Sequence, residues 1–485
     1  MYLGLDIGTS AVKAVVLDGC GATVAQASAP LLVSRPHPLW SEQNPLDWWS
    51  ATNKAVTELD ASVRSRIRAV GLSGQMHGAV LLDRAGQALR PAILWNDGRS
   101  AAQCVSLEAD VADLPSISGN RAMPGFTAPK LRWVQENEPQ LFEKISKVLL
   151  PKDYVRLRMT GDYASDLSDS AGTLWLDVCR RDWSETLLQS CNLTRNHMPA
   201  LYEGPQITGK LRPKLAEAWG MPRVPVVAGG SDNAAGAVGV GVVEDGNAFL
   251  SLGTSGVLFV ANDSFRPNAS GGVHCFCHAL PDRWHQMAVT LSAASCIEWA
   301  AKLTGSTDVS GLLAKIEGVG ISSAQEIFLP YLSGERTPHN NPNARGVLFG
   351  LTHDSDAVRV GLAVLEGVAF AFRDGLDALA AAGTSVDSVT VIGGGAQSKL
   401  WGRILASVLE TPMVYREGGE VGPALGAARL ARLGIGDGDI DSVCAPSPIV
   451  EVIKPEHHLT EQLLSKLQTY RGIYRKLESQ FGVEK

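Results

Sequence analysis

The chain has 485 residues, of which 45% are hydrophobic and 19% charged, and a net charge of −7. That length exceeds what one core serves and implies two domains, and the composition is that of a globular rather than a disordered protein. An acidic balance without a basic stripe argues against a nucleic-acid partner. The eight scattered cysteines and an N-terminus that reaches Asp6 with no basic leader region point to reduced thiols in a cytoplasm. The apolar run over residues 234–243 falls short of the roughly 20 residues a membrane helix needs, so no membrane partner is expected.

Residues 2–18, YLGLDIGTSAVKAVVLD, read as a β-hairpin: apolar strand, tight turn, apolar strand. Gly8, Thr9 and Ser10 would offer a phosphate backbone N–H groups and hydroxyls, with Lys13 as the cation. Asp6 beside such a turn would repel the ligand unless a divalent cation sat between them, and Mg²⁺ binds through one or two carboxylates plus substrate phosphates. An ordinary hairpin turn is the rival reading. The pattern recurs, however, at residues 248–263, AFLSLGTSGVLFVAND, with Gly253, Thr254 and Ser255 in the turn and Ser251 in the place of Asp6. Two copies suggest a duplicated domain, with the two turns gripping a polyphosphate from opposite sides.

Taken in order, the first hairpin is followed by a proline-rich loop and a helix, whose Trp40, Trp48 and Trp49 read as packing residues. RIRAVGLSGQMHGAVLLD is strand, polar loop, strand; its loop lies beyond a strand's carboxyl end, where open α/β sheets bind ligands, and His77 there could bond a polyol or be a satisfied loop histidine. In PAILWNDGRS, Trp95 with Asn96, Asp97 and Arg99 makes a sugar-like surface, unless Asp97 and Arg99 pair with each other. GFTAPKLRWVQENEP opens a helix with Thr127 as N-cap and Pro129 in the first turn, and the region after it to Asp177 reads as strand, loop and turn. GPQITGKL is one residue short of a phosphate loop and lacks its Ser/Thr, so it is set aside. PVVAGG is a buried strand leading into Ser231, Asp232, Asn233 and the small-residue run AAGAVGVG. Asp232 is either a helix N-cap or a base at a helix N-terminus. In the second case the helix dipole should hold its pKa low, which a loose phosphoryl transfer tolerates.

Farther on, HCFCH (residues 274–278) resembles a metal cluster but places its histidines and cysteines on opposite strand faces, with no second ligand pair at zinc spacing. In YLSGERTP, Glu335 and Arg336 are an internal ion pair or ligand contacts. Residues 357–382 form a long helix. VTVIGGGAQSKLW is strand, Gly393-Gly394-Gly395, helix, where the glycines let a ring or ribose lie on the backbone. GGEVGPALGAARLA gives a second glycine-lined helix start, and Leu463, Leu467, Tyr470, Tyr474 and Leu477 lie at the spacing of an amphipathic helix.

With these residues in view, nearly the whole chain resembles the FGGY carbohydrate kinases. GLDIGTSAVK resembles their first phosphate motif, SLGTSG the second, GFTAPKLRWVQEN and SGERTP their two signatures, and VIGGGAQSKLW the adenosine motif. GQMHG, WNDGR and SDNAAG together resemble the xylulose-phosphorylating members rather than the glycerol-phosphorylating ones. The resemblance implies two ribonuclease-H-like, actin/hexokinase-type α/β domains with an interdomain cleft that closes over MgATP and a ketose. It makes Asp232 the base and Asp6 the magnesium and phosphate organiser, with Met76, His77, Asp232 and Asn233 contacting the sugar. Gly8, Thr9, Ser10, Lys13, Gly253, Thr254, Gly394, Gly395 and Ser398 would meet the nucleotide. The expected division is residues 1–245 for sugar and catalysis, 246–440 for nucleotide, and 441–485 for a helical tail. The expected reaction is ATP-dependent phosphorylation of D-xylulose, with ATP and Mg²⁺ as cofactors, a small sugar as partner, and a homodimer left open. Kinases of other ketoses or polyols, such as ribulose or glycerol, and a non-catalytic actin-like ATP switch are the alternatives.

Overall fold

The computed structural model describes residues 1–321, 325–417 and 422–482. Strands β1 (Tyr2–Ile7), β2 (Ala11–Leu17), β3 (Thr23–Pro30), β4 (Ala69–Gly74), β5 (Ile207–Lys210), β6 (Pro225–Val227) and β7 (Gly230–Ser231) form one sheet. Its order is β5-β6-β4-β1-β2-β3, with β7 also pairing β4. β8 (Ala248–Leu252), β9 (Gly256–Asn262), β10 (His274–Cys277), β11 (Trp284–Thr290), β12 (Val389–Ile392), β13 (Met413–Arg416) and β14 (Ile449–Ile453) form a second sheet, ordered β10-β11-β9-β8-β12-β13-β14. In each sheet a hairpin sits beside a parallel strand: β1 runs antiparallel to β2 and parallel to β4, β8 antiparallel to β9 and parallel to β12. The strands outside them repeat as well, since β6 and β13 are parallel additions and β5 and β14 antiparallel edges. The expected duplication is therefore a property of whole sheets and extends well beyond the two turns.

All six residues of β1 are buried, as an apolar run covered on both faces must be. Its cover comes from α1 (Pro45–Glu58), α3 (Pro151–Thr160) and above all α7 (Pro423–Gly434); the other long helices are α2 (Thr127–Asn137), α4 (Asp232–Val240), α5 (Ala357–Ala380), α6 (Lys399–Leu409) and α8 (His457–Leu477). α1 starts on Asn44, whose side chain accepts from Leu46 N, with Pro45 in the first turn, and buries Trp48, Ala51 and Ala55. α2 begins one residue earlier than expected: Phe126 is the N-cap, and Thr127, the expected cap, is the first helical residue. α3 lies where strand, loop and turn were expected. Lys152, Asp153 and Arg156 on it are buried, so its charges give no polar outer stripe to read.

α7 belongs to the second half of the chain yet lies against β1 and β4 of the first sheet and against α4. Glycines permit that approach. A Cβ on Gly4 would stand 1.8 Å from Ala424 O, one on Gly71 1.9 Å from Ala427 O, and one on Gly426 1.7 Å from Ala235 O. The small residues after Asp232 thus admit another element, as the sequence suggested. Residues 418–421 of the second glycine-lined helix start lie outside the described residues, and Gly422 caps α7.

α8 buries Leu459, Leu463, Leu467, Tyr470, Ile473 and Tyr474 and joins the second core, where Tyr470 and Tyr331 hydroxyls meet at 2.7 Å. The discarded GPQITGKL segment forms β5 and its flanks. The histidines and cysteines of β10 are all buried, and His274 Nδ1 lies 2.9 Å from Asn120 Oδ1. Among the described residues no helix is long and apolar enough to cross a membrane.

Candidate active site

The first turn is closed by Gly8 N donating to Ala11 O at 3.1 Å and is braced from outside by side chains. Thr9 Oγ1 donates to Gln75 Oε1 at 3.0 Å and accepts from Trp95 Nε1 at 3.0 Å, while Gln43 Nε2 donates to Thr9 O at 2.8 Å. Gln75 Nε2 in turn donates to Gln43 Oε1. Sequence reasoning missed Gln43 and Gln75, whose bonds to Thr9 and to each other span 32 or more residues. Trp95 holds the turn's threonine. Asp97 and Arg99 do pair, at 2.6 Å, and the Arg99 guanidinium stacks on Trp40 at 3.5 Å.

Register sets Asp6 opposite Lys13 on β2 and opposite Ser73 on β4. Asp6 is 8% exposed, and its Oδ1 has no hydrogen-bond partner. Burial first, then the charge of Asp232, push its carboxyl up to about 7, against Lys13 and Ser73. Asp232 is the first residue of α4; the N-cap is Ser231, whose side chain accepts from Ala234 N. Asp232 Oδ1 accepts from Asn233 N at 2.7 Å and Asn233 Nδ2 at 2.9 Å, which leaves Oδ2 for other work. The expectation of a depressed pKa is overturned: burial pushes Asp232 up to about 6, outweighing those hydrogen bonds. Desolvation here exceeds the helix-terminus effect, which is worth about 0.3–1 kcal/mol at an exposed site. An orphaned Asp6 oxygen beside a second carboxylate fits a hard cation that takes one or two carboxylates and completes its shell elsewhere.

Beyond β4, Met76 is 4% exposed and His77 adopts a left-handed backbone, φ 67°. His77 Nδ1 lies 2.6 Å from Gly172 O; a carbonyl only accepts, so Nδ1 carries the proton and Nε2 is an acceptor. Burial lowers the His77 pKa to about 3, so the ring is neutral. Its strained carbonyl is clamped by Lys130 Nζ at 2.8 Å and Thr127 Oγ1 at 3.1 Å, which gives the GFTAPK segment a physical role that sequence reasoning did not assign. Glu335 and Arg336 are not an ion pair. Glu335 accepts from Leu291 N at 3.0 Å and Thr290 Oγ1 at 2.8 Å, tying its loop to the end of β11, and Arg336 Nη1 faces His274 Nε2 at 3.4 Å.

The second turn is fixed through its carbonyls, Gly253 O accepting from Ala294 N and Thr254 O from Ala293 N. A cavity of about 650 Å³ is lined by Lys13, Asp232 and Asn233 from the first half of the chain and by Ser251, Gly393 and Gly394 from the second. A second, of about 620 Å³, is lined by Gly253, Thr254, Gly394, Gly395 and Ser398 among others. Gly394 and Gln397 line both. Ser398 Oγ also caps α6, accepting from Trp401 N at 3.2 Å. Gly8, Thr9, Ser10, Met76 and His77 do not line either cavity.

Comparison with known proteins agrees with this architecture. Residues 1–239 match the N-terminal domain of the FGGY family of carbohydrate kinases and residues 248–434 its C-terminal domain. The chain is 54% identical over 479 residues to a xylulose kinase of Escherichia coli (strain K12), covering 98% of this chain and 99% of that one. It is 37% identical over 480 residues to a xylulose kinase of Bacillus subtilis (strain 168), covering 97% and 96%. The crystal structure of a "xyloylose kinase" from Brucella ovis superposes with a TM-score of 0.95 at 48% identity over 99% of both chains. Two sheets of one design, a shared cleft and these matches lead to one statement: the chain belongs to the FGGY family of carbohydrate kinases.

Proposed function

We propose that this protein transfers the terminal phosphoryl group of ATP to the terminal hydroxyl of D-xylulose, with Asp232 as the base. The observation that carries this reading is the cavity that Asp232, raised to about 6, lines together with Gly393 and Gly394. A carboxylate of that pKa is ionised at neutral pH and is a better proton acceptor than an ordinary aspartate. Relatives named xylulose kinase, 54% and 52% identical over nearly the whole chain, support the sugar.

In this reading the 620 Å³ cavity takes the nucleoside, and its phosphates run past Gly394 toward Lys13 and the first turn. Residues 1–245 act as the sugar and catalytic domain, 246–440 as the nucleotide domain, and 441–485 as a supporting tail. Asn233 fixes Asp232 Oδ1, so Oδ2 receives the hydroxyl proton as the oxygen–phosphorus bond forms. Neutral His77 accepts a hydrogen bond from a sugar hydroxyl at Nε2, with Met76 beside it, on a loop outside both cavities that meets the sugar when the cleft closes. Asp6 would hold Mg²⁺, which supplies charge neutralisation at the transferring phosphate. Lys13 supplies a protein charge to the same phosphate.

The test is ADP formation with D-xylulose, D-ribulose, glycerol or no sugar. D-xylulose should exceed the others at least tenfold in kcat/KM, and Asp232→Asn should cut turnover to a small residual rate while leaving ATP binding in place. Faster turnover of glycerol or ribulose would move the protein to another substrate. A sugar-independent rate equal to the sugar-stimulated one would instead identify an ATP switch.

A further inference from the structure

α3 carries Lys152, Asp153 and Arg156, and the segments Ala164–Asp166 and Leu167–Ala171 carry Asp166 and Asp169. The side chains of Lys152, Asp153, Asp166, Asp169 and Arg156 are wholly inaccessible. Lys152 Nζ lies 2.6 Å from Asp153 Oδ1, 2.7 Å from Asp166 Oδ1 and 3.2 Å from Asp169 Oδ2. Burying such ions is expensive, and apolar residues of equal volume often serve stability as well or better. The use of the cluster is therefore to be sought in what it touches.

Two arms leave it, and both end on the segment that delivers Asp232. Asp166 Oδ2 accepts from Ser168 N at 2.8 Å and from Ser168 Oγ. Ser168 Oγ accepts in turn from Ser231 N at 3.0 Å, and Ser231 is the N-cap of α4. On the other side Arg156 Nη1 donates to Val227 O at 3.3 Å and Nη2 to Ala228 O. The residues between these anchors include Gly229, with φ 83°, and Gly230. A glycine pair is the most pliable piece of backbone available, and only Ser231 separates it from the carboxylate whose direction matters.

We propose that the Lys152–Asp166–Ser168 chain, with Arg156, positions Asp232 for catalysis by pinning both ends of the glycine-containing segment before it. This rests on Asp232 being the base. Ser168 and Asp166 are positioning residues, touching neither sugar nor nucleotide. Misplacing a reacting group by about 1 Å costs on the order of 10²-fold, so the loss should fall on kcat and spare binding.

The test is a kinetic cycle with D-xylulose and ATP on Ser168→Ala, Asp166→Asn, Asp232→Asn and the double variant Ser168→Ala/Asp232→Asn, with thermal unfolding recorded for each. Expected are a kcat lowered at least tenfold in Ser168→Ala, KM for both substrates within about twofold of wild type, and no further loss when Ser168→Ala is added to Asp232→Asn in single-turnover measurements. If Ser168→Ala fails to fold, the shape-preserving Asp166→Asn is read by the same criteria. A folded Ser168→Ala turning over within twofold of wild type while Asp232→Asn is inactive overturns the positioning role alone. So does an equal loss from Ser168→Ala in both backgrounds. An Asp232→Asn variant at wild-type speed overturns the base assignment itself.

Discussion

Asp6 and Asp232 are neighbouring carboxylates: after burial, the charge of Asp232 is what lifts Asp6 to about 7. Asp6 comes from the first strand of the chain and Asp232 from the start of α4. Two carboxylates raised above 3.8 are a standing cost to the folded state at neutral pH, of the kind kept where a cation or a proton is to be received.

That cost can be read directly. The unfolded chain loses the Asp6 proton near pH 3.8 and the folded chain keeps it to about 7. The folded state thus binds more protons between those values, and its stability falls as pH rises through that window. Above pH 7 the loss from this group is on the order of 4 kcal/mol. Asp6→Asn, a mimic of the protonated acid, should unfold several degrees higher than wild type at pH 8 with a chelator present, and at the same temperature as wild type near pH 4. Equal unfolding temperatures at both pH values would mean that Asp6 is ionised normally.

Catalysis should report the other carboxylate. Asp232 must be ionised to take a proton, so kcat/KM for the sugar should fall about tenfold per pH unit below about 6 and level off above it. The acid limb should vanish from the residual rate of Asp232→Asn. A limb near 4 would show that the hydrogen bonds from Asn233 outweigh burial after all.

Lys130 offers a separation of sugar from nucleotide. It is buried, burial lowers its pKa well below the ordinary lysine value, and its Nζ holds the carbonyl of the left-handed His77. Lys130→Met keeps the packing and releases the carbonyl. KM for the sugar should rise about tenfold, near 1.4 kcal/mol, with KM for ATP unchanged. A parallel rise in both constants would mean that the substitution disturbs the fold at large.

What could be read in the sequence was local. The two Gly-Thr-Ser hairpins announce themselves within 17 residues each, and their sheets repeat around them. The brace of Gln43, Gln75 and Trp95 on Thr9 could not be read, because its bonds span 34 to 86 residues and glutamines carry no pattern. α3 was hidden for a different reason. Its Lys152, Asp153 and Arg156 are buried alongside Tyr154, Val155, Leu157 and Met159, so no polar face alternates with an apolar one and hydrophobic periodicity is blind to it. The pKa of Asp232 was misjudged because a helix N-terminus is visible in a sequence and the walls that desolvate it are not.

The contact between α4 and α7 gives the last prediction. These helices join the base to a segment from the other half of the chain, and they meet backbone to backbone where Gly426 faces Ala235 O. A Cβ at 1.7 Å from that oxygen has no soft neighbour to displace, so Gly426→Ala must push the helices apart. Overpacking of this kind typically costs about 1–3 kcal/mol, and because α4 starts at Asp232 the displacement should also lower kcat. Gly472→Ala is the matched control: Gly472 sits inside α8 with nothing within 4 Å of its added methyl. That change should stabilise by about 0.5–1 kcal/mol through helix propensity alone. Thermal unfolding and D-xylulose turnover of the two variants, compared side by side, decide it. If Gly426→Ala unfolds no earlier than wild type and keeps its rate, the close crossing of α4 and α7 is not what holds the base in place.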